Sequence, residues 1–294
     1  MFDFTATDYK EQKLNTINKI PVTDQPIWLE PGNRRRADFA FSGGKFGLFE
    51  SKTKNIIPIS KCPNLTQEIN DILSKLIKLP WVGTGACLIT KCDNGIDVAI
   101  TSDVPYFSAE FKNAIATLPV VRATWNNKVI IQNKKPIISF GNTTVEYPAN
   151  AFLQPSIFSA DIMRKMVKEY TTDFKRIADL FCGLGNFTFE TNADGFDIVG
   201  TGNKRDLFKK PLSTAMLNQY DCVIMDPPRA GALAQTKEIA DSNVRRVIYI
   251  SCNPDTFMRD KKILEKGGYK NIKLIPIDQF VGSSHWELFS VFDK

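Results

Sequence analysis

The stretch Asp179-Leu-Phe-Cys-Gly-Leu-Gly-Asn186 decides the fold of the C-terminal half of this chain. It begins inside a short apolar run, residues 176–181, which predicts a buried strand. Its two glycines predict a tight turn at the carboxyl end of that strand, where open α/β sheets bind their ligands. The third glycine of a dinucleotide fingerprint is absent, so the turn also fits a plain strand-to-helix connection.

Elements around this turn alternate between strand and helix. Helical spacing of apolar residues predicts helices over residues 156–170, 232–240 and 256–266. Further apolar runs predict strands over residues 196–200, 222–225, 246–251, 272–277 and 286–292. The alternation predicts an α/β fold with a mostly parallel sheet that helices cover on both faces.

Short β-rich runs dominate the sequence before residue 150. Gly43-Gly44 and Asn94-Gly95 predict two hairpins. Strands are also predicted over residues 128–132, 136–140 and 143–147, and helices over residues 65–79 and 108–117. We therefore expect a smaller α+β domain over residues 1–148, followed by the α/β domain over residues 149–294.

The composition of the 294 residues, 43% hydrophobic and 24% charged, is typical of a soluble globular protein. No apolar run is long enough to cross a membrane, and the acidic first eight residues do not resemble a secretory signal, so we expect a cytoplasmic protein. The net charge of +6 mildly favours an anionic partner such as nucleic acid. The six cysteines form no C-x-x-C pair, so no metal site is predicted.

Two further motifs end strands at the same predicted edge as the glycine turn. Asp226-Pro-Pro-Arg229 forms a rigid corner that can hold a flat base, although such a corner needs no function by itself. Ser251-Cys252-Asn-Pro254 puts a cysteine before a helix, whose dipole favours the thiolate. A buried, inert cysteine is the alternative. The shared edge favours a functional interpretation of both motifs.

One more motif lies near the C-terminus. His285 is the only histidine of the chain, and a lone histidine is more often structural than catalytic. Glu287 begins the last predicted strand and could supply a general base.

Together these motifs resemble the RNA 5-methyluridine methyltransferases, S-adenosylmethionine-dependent enzymes that modify ribosomal and transfer RNA. The matches run in order from Tyr9 to the C-terminus. They include residues 149–156, 179–187, 226–231, 251–254 with Arg259-Asp260, and His285-x-Glu287. The resemblance implies a Rossmann-like methyltransferase domain and an RNA partner.

The resemblance also implies roles for single residues. Cys252 would attack carbon 6 of the uracil ring, which makes carbon 5 nucleophilic, and Glu287 would remove the carbon 5 proton. The target base must leave its stack to reach the thiol, and Pro227, Pro228 and Arg229 would shape its pocket.

Binding of S-adenosylmethionine is implied for a second set of positions. They are Gln154, Phe181, Asn186 and Asp226, with Asp206 resembling the position that reads the adenine end.

The chain departs from the family pattern in two places. Family members carry an acidic residue after the second strand, and by spacing Gly202 stands at that position. The connection between residues 201 and 220 is also too short for a full crossover. We therefore expect one helix and most of one strand to be missing. Cys62 alone matches the four thiolates of the family's iron-sulfur site, and the chain begins where the other three would end. We expect no iron-sulfur cluster.

Three functions follow as hypotheses. The first is methylation of carbon 5 of a uridine, in ribosomal more than transfer RNA. The second is a truncated, internally shortened and catalytically inactive RNA-binding relative, or a gene fragment, which Gly202 and the short connection favour. The third is an amino-group methyltransferase, suggested by the Asp-Pro-Pro corner and opposed by Cys252, because an amino nitrogen needs no cysteine nucleophile.

Overall fold

The computed structural model describes Asp3, residues 5–50 and residues 52–294. Met1, Phe2, Phe4 and Ser51 lie outside the described residues, and with them part of the segment on which the prediction about a secretory signal depends. Within the described part, no helix has the length and apolar character that a membrane crossing requires.

The bounds of the elements are as follows. The helices are α1 (Tyr9–Leu14), α2 (Gln67–Leu76), α3 (Ala109–Ala116), α4 (Ile157–Thr171), α5 (Thr188–Thr191), α6 (Thr214–Leu217), α7 (Leu233–Ala240) and α8 (Pro254–Lys266). The strands are β1 (Arg36–Ser42), β2 (Lys45–Phe49), β3 (Ile56–Ile57), β4 (Thr84–Cys92), β5 (Gly95–Ser102), β6 (Val120–Trp125), β7 (Lys128–Gln132), β8 (Ile137–Phe140), β9 (Thr143–Glu146), β10 (Ile177–Leu180), β11 (Asp194–Asp197), β12 (Asn203–Lys204), β13 (Cys222–Met225), β14 (Arg246–Ser251), β15 (Lys270–Ile277) and β16 (Glu287–Asp293).

The chain forms two compact units whose division differs from the predicted boundary after residue 148. Pro31–Ile157 form one unit, and the residues up to Glu30 join Phe158–Lys294 in the other. The N-terminal segment joins the C-terminal unit because Lys13 of α1 forms a buried ion pair with Asp278. The indole N–H of Trp286 also donates to the carbonyl oxygen of Lys13 at 3.3 Å.

The unit of residues 31–157 contains a seven-stranded sheet in the order β3-β2-β1-β4-β5-β6-β7, and β8 pairs with β9 separately. Both predicted hairpins are confirmed, since β1 pairs with β2 and β4 pairs with β5 in antiparallel register. The sequence analysis missed β6, which runs parallel to β5. Every residue of β6 is buried, so it lacks the alternation that marks a half-exposed strand.

The C-terminal unit contains the predicted α/β sheet, in the order β12-β11-β10-β13-β14-β16-β15. The first five strands are parallel, and β16 runs antiparallel to its two neighbours. Successive residues of β13 and β14 alternate between two apolar clusters: Val223 and Val247 lie in one, Ile224 and Ile248 in the other. The sheet is therefore packed on both faces, as predicted.

The edge of this sheet agrees with the expectation that one helix and most of one strand are missing. The edge strand β12 is present, although it has only two residues. Between β11 and β12 the chain has residues 198–202 and no helix, so the helix of a full crossover is replaced by a short connection. The second strand also ends earlier than predicted, at Asp197 instead of residue 200.

Candidate active site

The motifs of the C-terminal unit that were predicted to bind a ligand or to act in catalysis lie at one edge of its sheet. The carboxyl ends of β10, β13 and β14 share this edge because these strands are parallel. The antiparallel β16 begins there, since Ser251 pairs with Leu288. Cys252 directly follows Ser251 and Glu287 directly precedes Leu288, so both residues adjoin that pair.

The glycine turn after β10 presents its backbone openly. Phe181 has φ +63°, Gly183 +53° and Gly185 +92°, conformations that favour glycine and are strained for phenylalanine. A Cβ atom built on Gly183 meets nothing within 4 Å. The Phe181 ring lies 5.4 Å from the ring of Phe208. The turn thus leaves room for a ligand to approach the backbone.

Two polar atoms at this turn have no hydrogen-bond partner among the described residues, Oδ1 of Asp179 and Nδ2 of Asn186. The other carboxyl oxygen of Asp179 accepts from the Thr188 hydroxyl at 2.6 Å, and Oδ1 of Asn186 accepts from Arg164 at 3.1 Å. Burial raises the pKa of Asp179 to about 7. Because buried polar groups are rarely left unpaired, these two atoms are suited to bind a polar ligand.

The short connection after β11 folds back onto the glycine turn. Asp197 Oδ2 accepts from the Gly183 N–H at 2.9 Å, and the Thr201 N–H donates to the Gly183 carbonyl at 3.2 Å. Gly200 has φ +97°, and a Cβ atom there would lie 1.8 Å from the Gly183 carbonyl oxygen, so only glycine fits. The connection is therefore a packed part of the ligand edge.

The observed end of the second strand brings a carboxylate to the ligand edge. The carboxylate at the end of the second strand is Asp197, because β11 ends five residues before Gly202. Gly202 lies against the backbone of Gly195 and the thiol of Cys182, and a Cβ atom there would come within 2.6 Å and 2.7 Å of them. The signal in the sequence was an acid directly after the apolar Phe196, which the prediction placed inside the strand.

Asp206 and Gln154 hold other positions. Asp206 follows β12, and its Oδ1 accepts from the backbone of Phe208 at 3.1 Å and of Lys209 at 3.2 Å, so it caps its own turn. Gln154 belongs to the unit of residues 31–157, where it is buried and its carbonyl accepts from Arg35 at 3.2 Å. The cofactor roles of both residues stay predictions.

The Cys252 thiol is half-buried between β14 and α8. Burial raises its pKa to about 11, and the negative charges of Glu287 and Asp226 act in the same direction. Arg229 opposes them through its charge and a hydrogen bond. The expectation that the helix dipole favours the thiolate is thus outweighed in this site, whose ligand-free form holds a neutral thiol at neutral pH.

Glu287 is 2% exposed at the start of β16. Burial raises the pKa of its carboxyl well above the ordinary value, and the nearby charge of Asp226 raises it further. The side-chain amide of Gln279 donates to Oε2 of Glu287 at 2.6 Å and lowers this pKa. Nothing in the sequence marks Gln279, because its contact with Glu287 depends on the pairing of β15 with β16.

The Asp-Pro-Pro-Arg corner borders the thiol. Pro227 is buried, whereas Pro228 and Arg229 are exposed. The Arg229 carbonyl accepts from the Asn253 side chain at 2.9 Å, and its guanidinium contacts both ring nitrogens of His285 at 3.2 and 3.3 Å. Burial and the charge of Arg229 lower the pKa of His285. The corner thus holds one cation beside the thiol and one neutral imidazole beside that cation.

The comparison with known proteins agrees with this arrangement. The sequence model of the family described as tRNA (Uracil-5-)-methyltransferase matches residues 200–293. An uncharacterised RNA methyltransferase of Agrobacterium fabrum is 31% identical, over 96% of this chain and 76% of that protein. Its alignment spans 321 positions, more than the chain has residues, so this relative has residues that the chain lacks.

Two further proteins are similar to this chain over most of its length. A 23S rRNA (uracil(1939)-C(5))-methyltransferase of Photobacterium profundum is 26% identical, over 91% of this chain and 66% of that protein. The fold matches the crystal structure of Pyrococcus abyssi tRNA (uracil-54, C5)-methyltransferase, with a TM-score of 0.77, 17% identity, and coverage of 97% of this chain and 82% of that one. The chain belongs to the RNA uracil-5 methyltransferase family.

Proposed function

We propose that the chain methylates carbon 5 of a uridine in ribosomal RNA, with Cys252 as nucleophile and Glu287 as general base. The observation that carries this proposal is that Cys252 and Glu287 adjoin the paired residues Ser251 and Leu288, close enough for the charge of Glu287 to raise the pKa of the Cys252 thiol. Carbon 5 of uracil is a poor nucleophile, and covalent addition divides one difficult step into easier ones. The reaction is proposed to take place in the cytoplasm.

The residues around the glycine turn fit S-adenosylmethionine, which would supply an electrophilic methyl group on a sulfonium. The Nδ2 of Asn186 can donate a hydrogen bond to the ligand, and Gly183 allows a close approach to the backbone. The carboxylate of Asp197 can accept hydrogen bonds from ribose hydroxyls. Phe181, Asp206 and Asp226 are proposed to line the same site. Asp197 is proposed as the ribose ligand, since Gly202 offers no carboxylate.

In the first step the Cys252 sulfur forms a bond to carbon 6 of the flipped uracil. The electron pair of the double bond between carbons 5 and 6 moves onto carbon 5 and the adjoining carbonyl, so carbon 5 can accept the methyl group. The sulfonium would keep the electron pair of its broken bond to the methyl group and leave as a neutral thioether. Arg229 stabilises the thiolate that this step needs, since it lowers the pKa of Cys252. Pro227 and Pro228 are proposed to hold the base beside the thiol.

In the second step Glu287 takes the proton from carbon 5. The electron pair of that bond restores the double bond, the bond between carbon 6 and sulfur breaks, and the Cys252 thiolate leaves. A base with a raised pKa suits this task, because the driving force for accepting a proton grows with its pKa. Burial and Asp226 supply that increase.

The choice of ribosomal RNA is supported by the Photobacterium profundum relative, whose name specifies 23S rRNA. The family description and the Pyrococcus abyssi structure specify tRNA instead. The test therefore uses in vitro transcribed ribosomal and transfer RNA with S-adenosylmethionine labelled in its methyl group. We expect label at carbon 5 of uridine in ribosomal RNA, and none with Cys252→Ala.

Cys62→Ala is the matched control for loss of a half-buried thiol, and it should keep the activity. A folded chain that binds RNA but transfers no methyl group to either RNA would overturn the proposal and support the inactive relative. Methylation that persists in Cys252→Ala would support an amino-group methyltransferase.

A further inference from the structure

We propose that Gln279 is a positioning residue for the base, and that its side-chain amide favours the ionised Glu287 carboxylate and aims it at the carbon 5 proton. This inference rests on the proposed function. Gln279 is 5% exposed and lies two residues after the end of β15. Its Nε2 to Oε2 distance of 2.6 Å is typical of a strong hydrogen bond to a charged acceptor.

The surroundings of Glu287 make such a donor necessary. Burial and the charge of Asp226 both favour the protonated carboxyl, which cannot act as a base. Gln279 is the group whose hydrogen bond acts in the opposite direction. A neutral amide can do so without forming a salt bridge that would lower the pKa too far for proton transfer.

The loop that carries Gln279 is held on both sides of it. Asp278 accepts from the Tyr9 hydroxyl at 2.8 Å and pairs with the buried Lys13. Lys13 also donates to the Phe280 carbonyl at 3.0 Å. With both neighbours fixed, the Gln279 side chain has little freedom to leave Glu287, so the hydrogen bond is preorganised.

The role predicts a specific defect rather than a general loss of activity. Without the amide, Cys252 can still add to the ring and the methyl group can still arrive, but proton removal becomes slow. The methylated RNA then stays bound to Cys252. This adduct is detected as protein that carries methyl label after nuclease digestion and denaturing electrophoresis.

The experiment compares Gln279→Met, which keeps the side-chain length, with Gln279→Asn, which keeps an amide but withdraws it from Glu287. We expect both to lower kcat about 10- to 100-fold with little change in KM for RNA, and to accumulate labelled adduct. Loss of activity without adduct in both variants, or activity like that of the unchanged protein, would overturn the inference.

Glu287→Gln separates this inference from the proposed function. If Glu287→Gln accumulates adduct and the Gln279 variants do not, only the role of Gln279 fails. If Glu287→Gln forms no adduct either, the proposed mechanism itself fails. Cys252→Ala should form none in any case.

Discussion

The carboxylate of Asp197 accepts a hydrogen bond from the backbone N–H of Gly183 at 2.9 Å, so the end of β11 is joined directly to the glycine turn after β10. The Thr201 N–H donates to the carbonyl of the same glycine at 3.2 Å. The strands β11 and β12 are connected by only five residues, 198–202, without a helix, and this connection packs onto the ligand edge. The carboxylate of Asp197 is therefore held at the ligand edge of the sheet.

Replacing Asp197 by Asn should weaken binding of S-adenosylhomocysteine about 10- to 100-fold, because a charge-assisted hydrogen bond contributes roughly 1.5–3 kcal/mol. Titration calorimetry measures the affinity. Asp194→Asn, at the other end of β11, is the matched control and should bind as the unchanged protein does. Equal affinity in both variants would show that Asp197 does not contact the ligand.

Introducing an acid at Gly202 should destabilise the protein instead of improving ligand binding. The new Cβ atom would lie 2.6 Å from the backbone of Gly195, which cannot move without disturbing β11. We expect Gly202→Asp to lower the free energy of unfolding by about 2–3 kcal/mol, as overpacking substitutions do. Thermal unfolding checks this against Gly43→Asp, where a Cβ atom meets open space and aspartate tolerates the backbone conformation. A stable Gly202→Asp chain with tighter ligand binding would contradict this prediction.

Alkylation of Cys252 by iodoacetamide should accelerate about tenfold for each pH unit between pH 7.5 and 9.5, because only the thiolate reacts. The sign follows from the pKa of about 11, below which the thiolate fraction rises with pH. Mass spectrometry of the Cys62→Ser background isolates this thiol, since the other described cysteines are buried. Arg229→Ala should slow the reaction further, and a rate already constant at pH 7.5 would mean a preformed thiolate.

Breaking the buried pair of Lys13 and Asp278 should strongly destabilise the C-terminal unit. Their side chains are 0% and 1% exposed, and burial lowers the pKa of Lys13 and raises that of Asp278. Either Lys13→Met or Asp278→Asn alone should lower the free energy of unfolding by about 3–5 kcal/mol, because each leaves an uncompensated buried group. The double variant should cost clearly less than the sum of the two.

Calorimetric unfolding measures this cycle. Lys273→Met is the control, since Lys273 and Asp24 form a part-exposed pair at 2.6 Å whose loss should cost no more than about 1 kcal/mol. Strictly additive effects of the two buried substitutions would show that Lys13 and Asp278 do not depend on each other.

The predicted bounds of β13 and β14 coincide with the observed ones, because a short apolar run between turn residues has few other interpretations. The prediction failed at the sheet edge. There β11 and β12 have few neighbours, and their bounds depend on how the connection packs against Gly183 and Gly195. The strand β6 was missed for the opposite reason, since complete burial removes the periodic signal.

The sequence by itself determined the α/β class and the order of the turns at the ligand edge, because these follow from local patterns of apolar residues, glycine and proline. The roles proposed for Cys252 and Glu287 came from the resemblance of their motifs to a family. Only the tertiary structure decided which carboxylate lies beside the glycine turn and which amide contacts Glu287. Asp197 contacts Gly183, and Gln279 contacts Glu287, because their strands pair in the sheet. The partners are separated along the chain, and no local sequence pattern specifies the path of the segment between them. The pKa values of Cys252 and Glu287 were likewise fixed by burial, which exists only in the folded protein.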